Sequence, residues 1–128
     1  MTYPNTSITV DGLWGPETIY AFQVWARRRN WYPSSYLLDG VEGHGTRTAI
    51  QRWLKAEGYY SGEIDGTIGS LTMDAMRRSL DAKVDWSFTV YDRNGKVIGR
   101  HDGKLKKASS FPHPDYVAKL QTYLNRVR

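Results

Sequence analysis

The sequence predicts a mainly α-helical fold with a small β-hairpin insertion. Three observations lead to this fold class: a motif Asp-Gly-x-x-Gly-x-x-Thr that occurs three times, an apolar stripe after each copy, and a short alternating segment that ends at an Asn-Gly pair. The chain has 128 residues, of which 40% are hydrophobic and 13% aromatic. A chain of this size and composition can bury a core without disulfides or metals.

The repeated motif begins at Asp11, Asp39 and Asp65, so successive copies are 28 and 26 residues apart. In each copy the Asp and Gly predict a tight turn, because the carboxylate bonds nearby backbone N–H groups and glycine adopts a positive φ; Gly66 is one such position. We expect these aspartates to hold turns first, with ligand contact as the alternative.

Each copy is followed by apolar residues at helical spacing, which predicts helices near residues 16–29, 45–57 and 71–81. Pro16 suits a first helical turn, Ser70 is expected to cap the third helix, and Gly58 suits a left-handed helix end. A fourth helix, near residues 114–126, begins at Pro114.

Three of these helices share the pattern apolar-Gln-x-aromatic, at residues 22–25, 50–53 and 120–123. The third helix keeps the apolar ends of the pattern but has Arg77 in place of the glutamine. Because the last helix carries the same pattern as the first two, we expect it to pack against the first helix. Trp25, Trp53 and Tyr123 are expected in the core.

Residues 86–100 predict a β-hairpin, since apolar and polar side chains alternate up to Asn94-Gly95, which is expected to supply left-handed turn residues. Residues 102–113 read as a basic loop. The net charge is +5, and the whole excess lies in the second half, which holds twelve basic and seven acidic residues. This half is either a solvated face or a site for a polyanion.

Several classes of function have little support. The chain has no cysteine, which excludes a disulfide framework and a cysteine nucleophile, and its three histidines, His44, His101 and His113, do not have metal-ligand spacing. Ser109 and Ser110 lack the glycines of a nucleophile elbow. We therefore expect no enzyme activity, no cofactor and no metal.

Residues 50–76 are similar to one unit of the small three-helix peptidoglycan-binding domain family, whose pattern reads apolar-Gln-x-x-Leu, Gly-Tyr-Tyr-x-Gly, Asp-Gly-x-x-Gly-x-x-Thr and Ala-apolar. Residues 10–18 also resemble its loop and helix start, and the matches together span about residues 8–81. The resemblance implies two fused units that bind bacterial cell wall, as found in phage endolysins and bacterial autolysins. Glu42 departs from the pattern, as do residues 31–36 and 84–113.

We expect a cell-wall-binding domain over residues 1–128, with a repeat-bearing helical part at 8–81, the hairpin and basic loop at 84–113, and a closing helix at 114–128. Carbohydrate binding needs aromatic rings for sugar faces and donors for carboxylates and amides. The expected ligand-binding residues are Trp31, Tyr32, Tyr59, Arg28, Gln51, Arg52, Lys104, Lys106 and Lys107, where the three lysines would attract anionic wall polymers.

The predicted function is a non-catalytic module that targets a wall hydrolase, with peptidoglycan or anionic wall polymers and a tethered catalytic domain as partners. The alternatives are a protein-interaction or phage structural module and, with less support, a nucleic-acid-binding domain. No membrane partner is expected. The chain as given carries no signal peptide, so we expect it at the bacterial wall, or outside the cell after host lysis.

Overall fold

The computed structural model describes residues 7–127. It contains four helices and one hairpin, in the order α1 (Pro16–Arg28), α2 (His44–Ala56), α3 (Ser70–Lys83), β1 (Phe88–Tyr91), β2 (Val97–His101) and α4 (Pro114–Val127). The mainly helical class with a hairpin insertion is confirmed, and each helix lies within two residues of its predicted bounds.

The helices form a closed ring, because α1 packs on α2, α2 on α3, α3 on α4 and α4 on α1. The contact between α4 and α1 is the one that the shared Gln-aromatic pattern predicts. Aromatic side chains fill the centre: Trp25 lies 5.6 Å from Trp53 and 5.7 Å from Tyr123, measured between ring centroids. Both tryptophans are buried, as expected, and Tyr123 is half-buried against the core.

The three repeated turns link the starts of the helices. Gly12, Gly40 and Gly66 all have positive φ, between 68° and 78°. A Cβ atom on Gly12 would lie 3.0 Å from the carbonyl oxygen of Pro114, and one on Gly40 would lie 2.9 Å from that of Pro16. Each of these turns therefore lies against the first residue of one helix in the ring, which is α4, α1 or α2 respectively, and leads directly into the neighbouring helix.

This arrangement places all four helix N-termini at one end of the ring, which we call the N-terminal face. The residues that precede α1, α2 and α3 are glycines without a side-chain capping bond. The expectation that Ser70 caps α3 is therefore wrong: Ser70 is the first helical residue and Gly69 is the cap. Gly58 has a φ of +86° just after α2, as predicted.

The hairpin is an antiparallel pair in which Phe88 lies opposite His101 and Val90 opposite Gly99. Gly95 has a φ of +82°, but Asn94 does not adopt a positive φ, which corrects the predicted turn. A single left-handed glycine fits a type I turn followed by a bulge. Within residues 7–127 the two strands pack on each other and on no helix, and their apolar side chains are exposed.

A search of the described part of the chain for membrane-spanning helices found none of sufficient length and apolar character.

Candidate functional site

The glutamine of each repeated helix pattern holds one Asp-Gly turn. Gln51 is fully buried in α2, and its Oε1 atom accepts the Gly66 N–H at 2.9 Å. Its Nε2 atom donates to the Asp65 carboxylate and to the Thr67 carbonyl, both at 3.0 Å. One side chain thus satisfies both donors and acceptors of the third turn, including a buried N–H that would otherwise be costly.

We call this set of hydrogen bonds between a helix glutamine and an Asp-Gly turn a clamp. The same clamp occurs twice more. Gln23 of α1 accepts the Gly40 N–H at 3.0 Å and donates to Asp39 at 3.2 Å. Gln121 of α4 accepts the Gly12 N–H at 3.0 Å and donates to Asp11 at 2.9 Å. The second of these clamps ties the last helix to the first turn, across most of the chain, and closes the ring.

The turn aspartates are held as carboxylates. A backbone N–H two residues ahead lowers the pKa of Asp11 and Asp39, and for Asp65 the Gln51 amide contributes most to the lower pKa. Hydrogen bonds to the charged oxygens favour the ionised form. These bonds give the aspartates a turn-holding role, in agreement with the structural interpretation of the motif.

We expect the fold to lose stability in acid through these three turns. A carboxyl group whose pKa is lower in the folded state stabilises the fold above the unfolded pKa of about 4, and that stability disappears as the pH falls through the folded value. Thermal unfolding followed by circular dichroism from pH 7 to pH 2 should show this decline. An Asp65→Asn variant should show a shallower decline, and an unchanged slope would contradict the assignment.

The remaining helix of the ring, α3, does not hold a turn through a glutamine. Arg77 occupies the glutamine position of α3 and donates to Asp74 instead of to a turn. The following loop is fixed by a buried ion pair, in which the Lys119 Nζ atom lies 2.7 Å from the Asp81 carboxylate and donates to the Gly103 carbonyl at 2.9 Å. Asp81 also accepts the Leu105 N–H at 3.1 Å.

Sequence reasoning did not find Lys119 or Asp81, because a lysine in a helix is normally a surface residue. A signal was nevertheless present. Lys119 lies one position before Leu120 and three after Tyr116, within the apolar stripe of α4. A charged side chain inside such a stripe indicates a buried partner.

The expected aromatic residues do not form an exposed platform. Tyr32 is buried and its hydroxyl donates to the Leu37 carbonyl, so its ring supports a loop. Trp31 is half-buried with its centroid 5.2 Å from Trp25, and Tyr59 is half-buried beneath Arg78 and Lys83.

The expected polar residues are divided between structural and exposed positions. Gln51 has its amide fully engaged with the third turn, so we assign it a structural role instead of ligand contact. Arg52 donates to the Trp31 carbonyl at 3.2 Å and to the Thr48 hydroxyl at 3.3 Å. The remaining four cations are exposed: Arg28, Lys104, Lys106 and Lys107.

The N-terminal face carries a group of exposed apolar side chains that sequence reasoning did not identify. Leu13 and Val41 each follow an Asp-Gly pair, and Leu37 and Leu71 lie beside the starts of α2 and α3; their exposed fractions are 66%, 63%, 75% and 55%. Leu13 and Val41 occupy the same position of the repeated motif. This recurrence of an apolar residue was the sequence signal that could have identified them. Exposed apolar side chains are candidates for ligand contact where they line a cleft.

Two clefts open on this face. The α2 cleft, of about 450 Å³, lies between α2 and the preceding loop; its lining includes Tyr36, Leu37, Asp39, Val41 and His44. The α3 cleft, of about 600 Å³, is lined by Ser70, Leu71, Asp74, Lys107, Ala108 and Ser109.

The start of α2 is shaped to receive the Tyr36 ring. A Cβ atom on Gly45 would lie 2.1 Å from Cδ2 of Tyr36, so only glycine lets the ring rest on the helix there. Arg27 donates to the carbonyls of Pro33 and Tyr36, which fixes the loop. Tyr36 remains 42% exposed. A ring held in place yet accessible is suited to dock an apolar ligand face.

Among residues 7–127 no group of three His, Asp or Glu side chains is arranged to hold a metal ion.

Comparison with known proteins shows a family similarity in the middle of the chain. Residues 39–78 match the family model described as a putative peptidoglycan binding domain. This segment of the chain is similar to that family, and it includes α2, the third turn and part of both clefts. No curated protein and no solved structure matches the chain.

Proposed function

We propose that this chain is a non-catalytic module that targets a peptidoglycan hydrolase, such as a phage endolysin or a bacterial autolysin, to the bacterial cell wall. The observation that supports this function best is the α2 cleft, which is lined in part by the matched segment and presents the accessible Tyr36 ring beside polar groups. The hydrolytic domain is then a tethered partner, and the module acts at the wall, including after release by host lysis.

The α2 cleft combines the two kinds of group that a sugar ligand requires. Tyr36 and Val41 offer apolar surface for a sugar-ring face, and the Asp39 carboxylate and His44 ring offer polar atoms for hydroxyl and amide groups. The hydrogen bonds that the Asp39 carboxylate already accepts hold its turn, so the carboxylate is in place before a ligand arrives. A preorganised site of this kind avoids part of the entropy cost of binding.

Removal of the exposed ring and its apolar neighbour should weaken wall binding. A Tyr36→Ala, Val41→Ser variant is expected to lose about 2 kcal/mol of binding free energy, or roughly 30-fold in Kd, as is typical for an aromatic hot spot. Co-sedimentation with purified walls measures this loss. Tyr91→Ala is the control, because Tyr91 is also an exposed tyrosine, 59% against 42% for Tyr36, but lies on the hairpin. Equal losses in both variants would reject the α2 cleft.

The module should bind walls without cutting them. The turbidity of a wall suspension is expected to stay constant at micromolar protein under conditions in which co-sedimentation shows saturation. A loss of turbidity that co-purifies with this chain through two further columns would contradict the non-catalytic assignment.

The protein-interaction alternative is supported by the hairpin, whose exposed apolar side chains include Phe88, Tyr91, Val97 and Ile98. An interaction module of this kind would lose its partner on Ile98→Ser and keep it on Tyr36→Ala. The two hypotheses therefore differ in which variant is affected.

A further inference from the structure

The α3 cleft lies where the ring departs from its own repeat. Each of the three Asp-Gly turns lies against the start of one helix, which is α4, α1 or α2, and is held by hydrogen bonds with the glutamine of that helix. At α3 the glutamine is replaced by Arg77, and Gly103 lies instead against the backbone of Trp86. Residues 107–109 pass beside the start of α3 and leave the cleft of about 600 Å³ open.

The walls of this cleft combine apolar surface with hydroxyl groups. Leu71 and Ala108 provide apolar surface, and Ser70 and Ser109 provide hydroxyl groups. Among residues 7–127, no aromatic side chain lines the cleft. A sugar ring thus finds no ring to stack on here. A peptide with small side chains fits these walls better than a glycan does.

The charges of the cleft are unequal. The Asp74 carboxylate lies 2.6 Å from Arg77 and 3.2 Å from Arg78, and the Arg77 hydrogen bond is the main cause of its lowered pKa. Lys107 is exposed, lines the cleft and makes no ion pair within residues 7–127. Because Asp74 is already paired with these two arginines, the ammonium group of Lys107 is left to hold a negatively charged group of a ligand.

Asp74 also limits which anion fits. Its carboxylate would repel the closely spaced charges of a phosphate polymer, but it can accept an N–H from a peptide backbone. A ligand with one carboxylate for Lys107 and a nearby amide for Asp74 satisfies both walls. Peptidoglycan stem peptides carry these two groups together with small apolar side chains.

We propose that the α3 cleft binds the carboxylate-bearing stem peptide of peptidoglycan, while the α2 cleft holds the glycan. This assignment rests on the proposed function. The clefts are neighbours, because the third turn that separates them lies against His44 at the start of α2 and leads into Ser70 at the start of α3. One glycopeptide can therefore occupy both.

The test compares two ligands and two variants. The first ligand is intact wall stripped of phosphate polymers, and the second is the same wall after an amidase has removed its stem peptides. A Leu71→Ser, Lys107→Gln variant is compared with Lys96→Gln, which removes an equal charge from an exposed position beside the hairpin turn, outside the α3 cleft. Circular dichroism establishes that both variants fold.

We expect wild type to bind intact wall at least 10-fold more tightly than peptide-free wall. The cleft variant should lose this preference and the Lys96 variant should keep it, also at 0.5 M salt, where charges are screened beyond about 4 Å. Equal wild-type affinity for both walls would overturn the inference, as would a preference that survives in the cleft variant. Unstripped wall serves as a reference: wild-type binding to unstripped wall that is lost on stripped wall would overturn the inference in favour of the phosphate polymers.

Failure of the proposed function is recognised separately. Titration with a soluble muramyl peptide, followed through the backbone amide signals of Ser70, Leu71 and Ala108, reports on the cleft without any wall. Shifts of these signals without binding to whole walls would overturn the targeting function but support the cleft. No shifts at millimolar peptide would overturn the cleft even if walls are bound through Tyr36.

Discussion

Replacing Lys119 by methionine should destabilise the fold by about 3–5 kcal/mol, the range seen when one partner of a buried ion pair is removed. The Lys119 side chain is 1% exposed and that of Asp81 is 10% exposed. Without the ammonium group, Asp81 keeps a buried negative charge and the Gly103 carbonyl loses its donor. Urea unfolding at neutral pH measures the change in free energy.

Two further variants test whether the loss comes from an unpaired buried charge. Asp81→Leu combined with Lys119→Met should cost less than the sum of the two single variants, because no buried charge is left unpaired. Glu42→Gln breaks the 3.7 Å pair with Arg47 at the surface and should cost less than about 1 kcal/mol. Comparable losses for Glu42→Gln and Lys119→Met would show that Lys119 acts only as a surface cation.

Replacing Gln121 by leucine should cost about 3–5 kcal/mol as well, because several partners lose a buried bond at once. The side chain is 0% exposed and contacts the N–H groups of Asp11 and Gly12, the Leu13 carbonyl and the Thr18 hydroxyl. A leucine of similar size fills the space but bonds none of them. The free energy of unfolding in urea is again the measurement.

The isosteric variant Gln121→Glu separates bonding from packing. At pH 7 it places a second carboxylate against Asp11, so it should be strongly destabilised, and protonation near pH 4 should return part of the loss. The control is Thr122→Ala, whose hydroxyl only bonds the Ala118 carbonyl within the helix. A stability of Gln121→Glu that does not improve between pH 7 and pH 4, relative to wild type, would be inconsistent with the clamp.

The helices, the turns and the contact of α4 with α1 were predictable because they follow from local repetition. Copies of one motif must adopt one local structure, and the apolar spacing identifies the buried side of each helix. The buried positions of Trp25 and Trp53 followed from the same spacing. The hairpin was predictable from its alternation and its Asn-Gly pair, although the turn uses Gly95 alone.

The binding surface was less predictable, because exposure depends on how distant segments pack. Tyr32 and Tyr36 are four residues apart in one loop, yet only the ring of Tyr36 is accessible, since Gly45 lets it rest on α2. The structural role of Gln51 was hard to predict for the same reason. Its pattern was visible, but its partner is a turn fourteen residues ahead, and no local rule connects the two.

The clamp between Gln121 and the first turn has a consequence for protein synthesis. The side chain that locks Gly12 is 109 residues later in the chain, so a growing chain carries an unlocked first turn until α4 has left the ribosome. The second and third turns follow their own clamping helices and can lock as soon as they emerge. The first of the three turns to be made is therefore the last of them to lock, and the ring closes only when α4 reaches that turn.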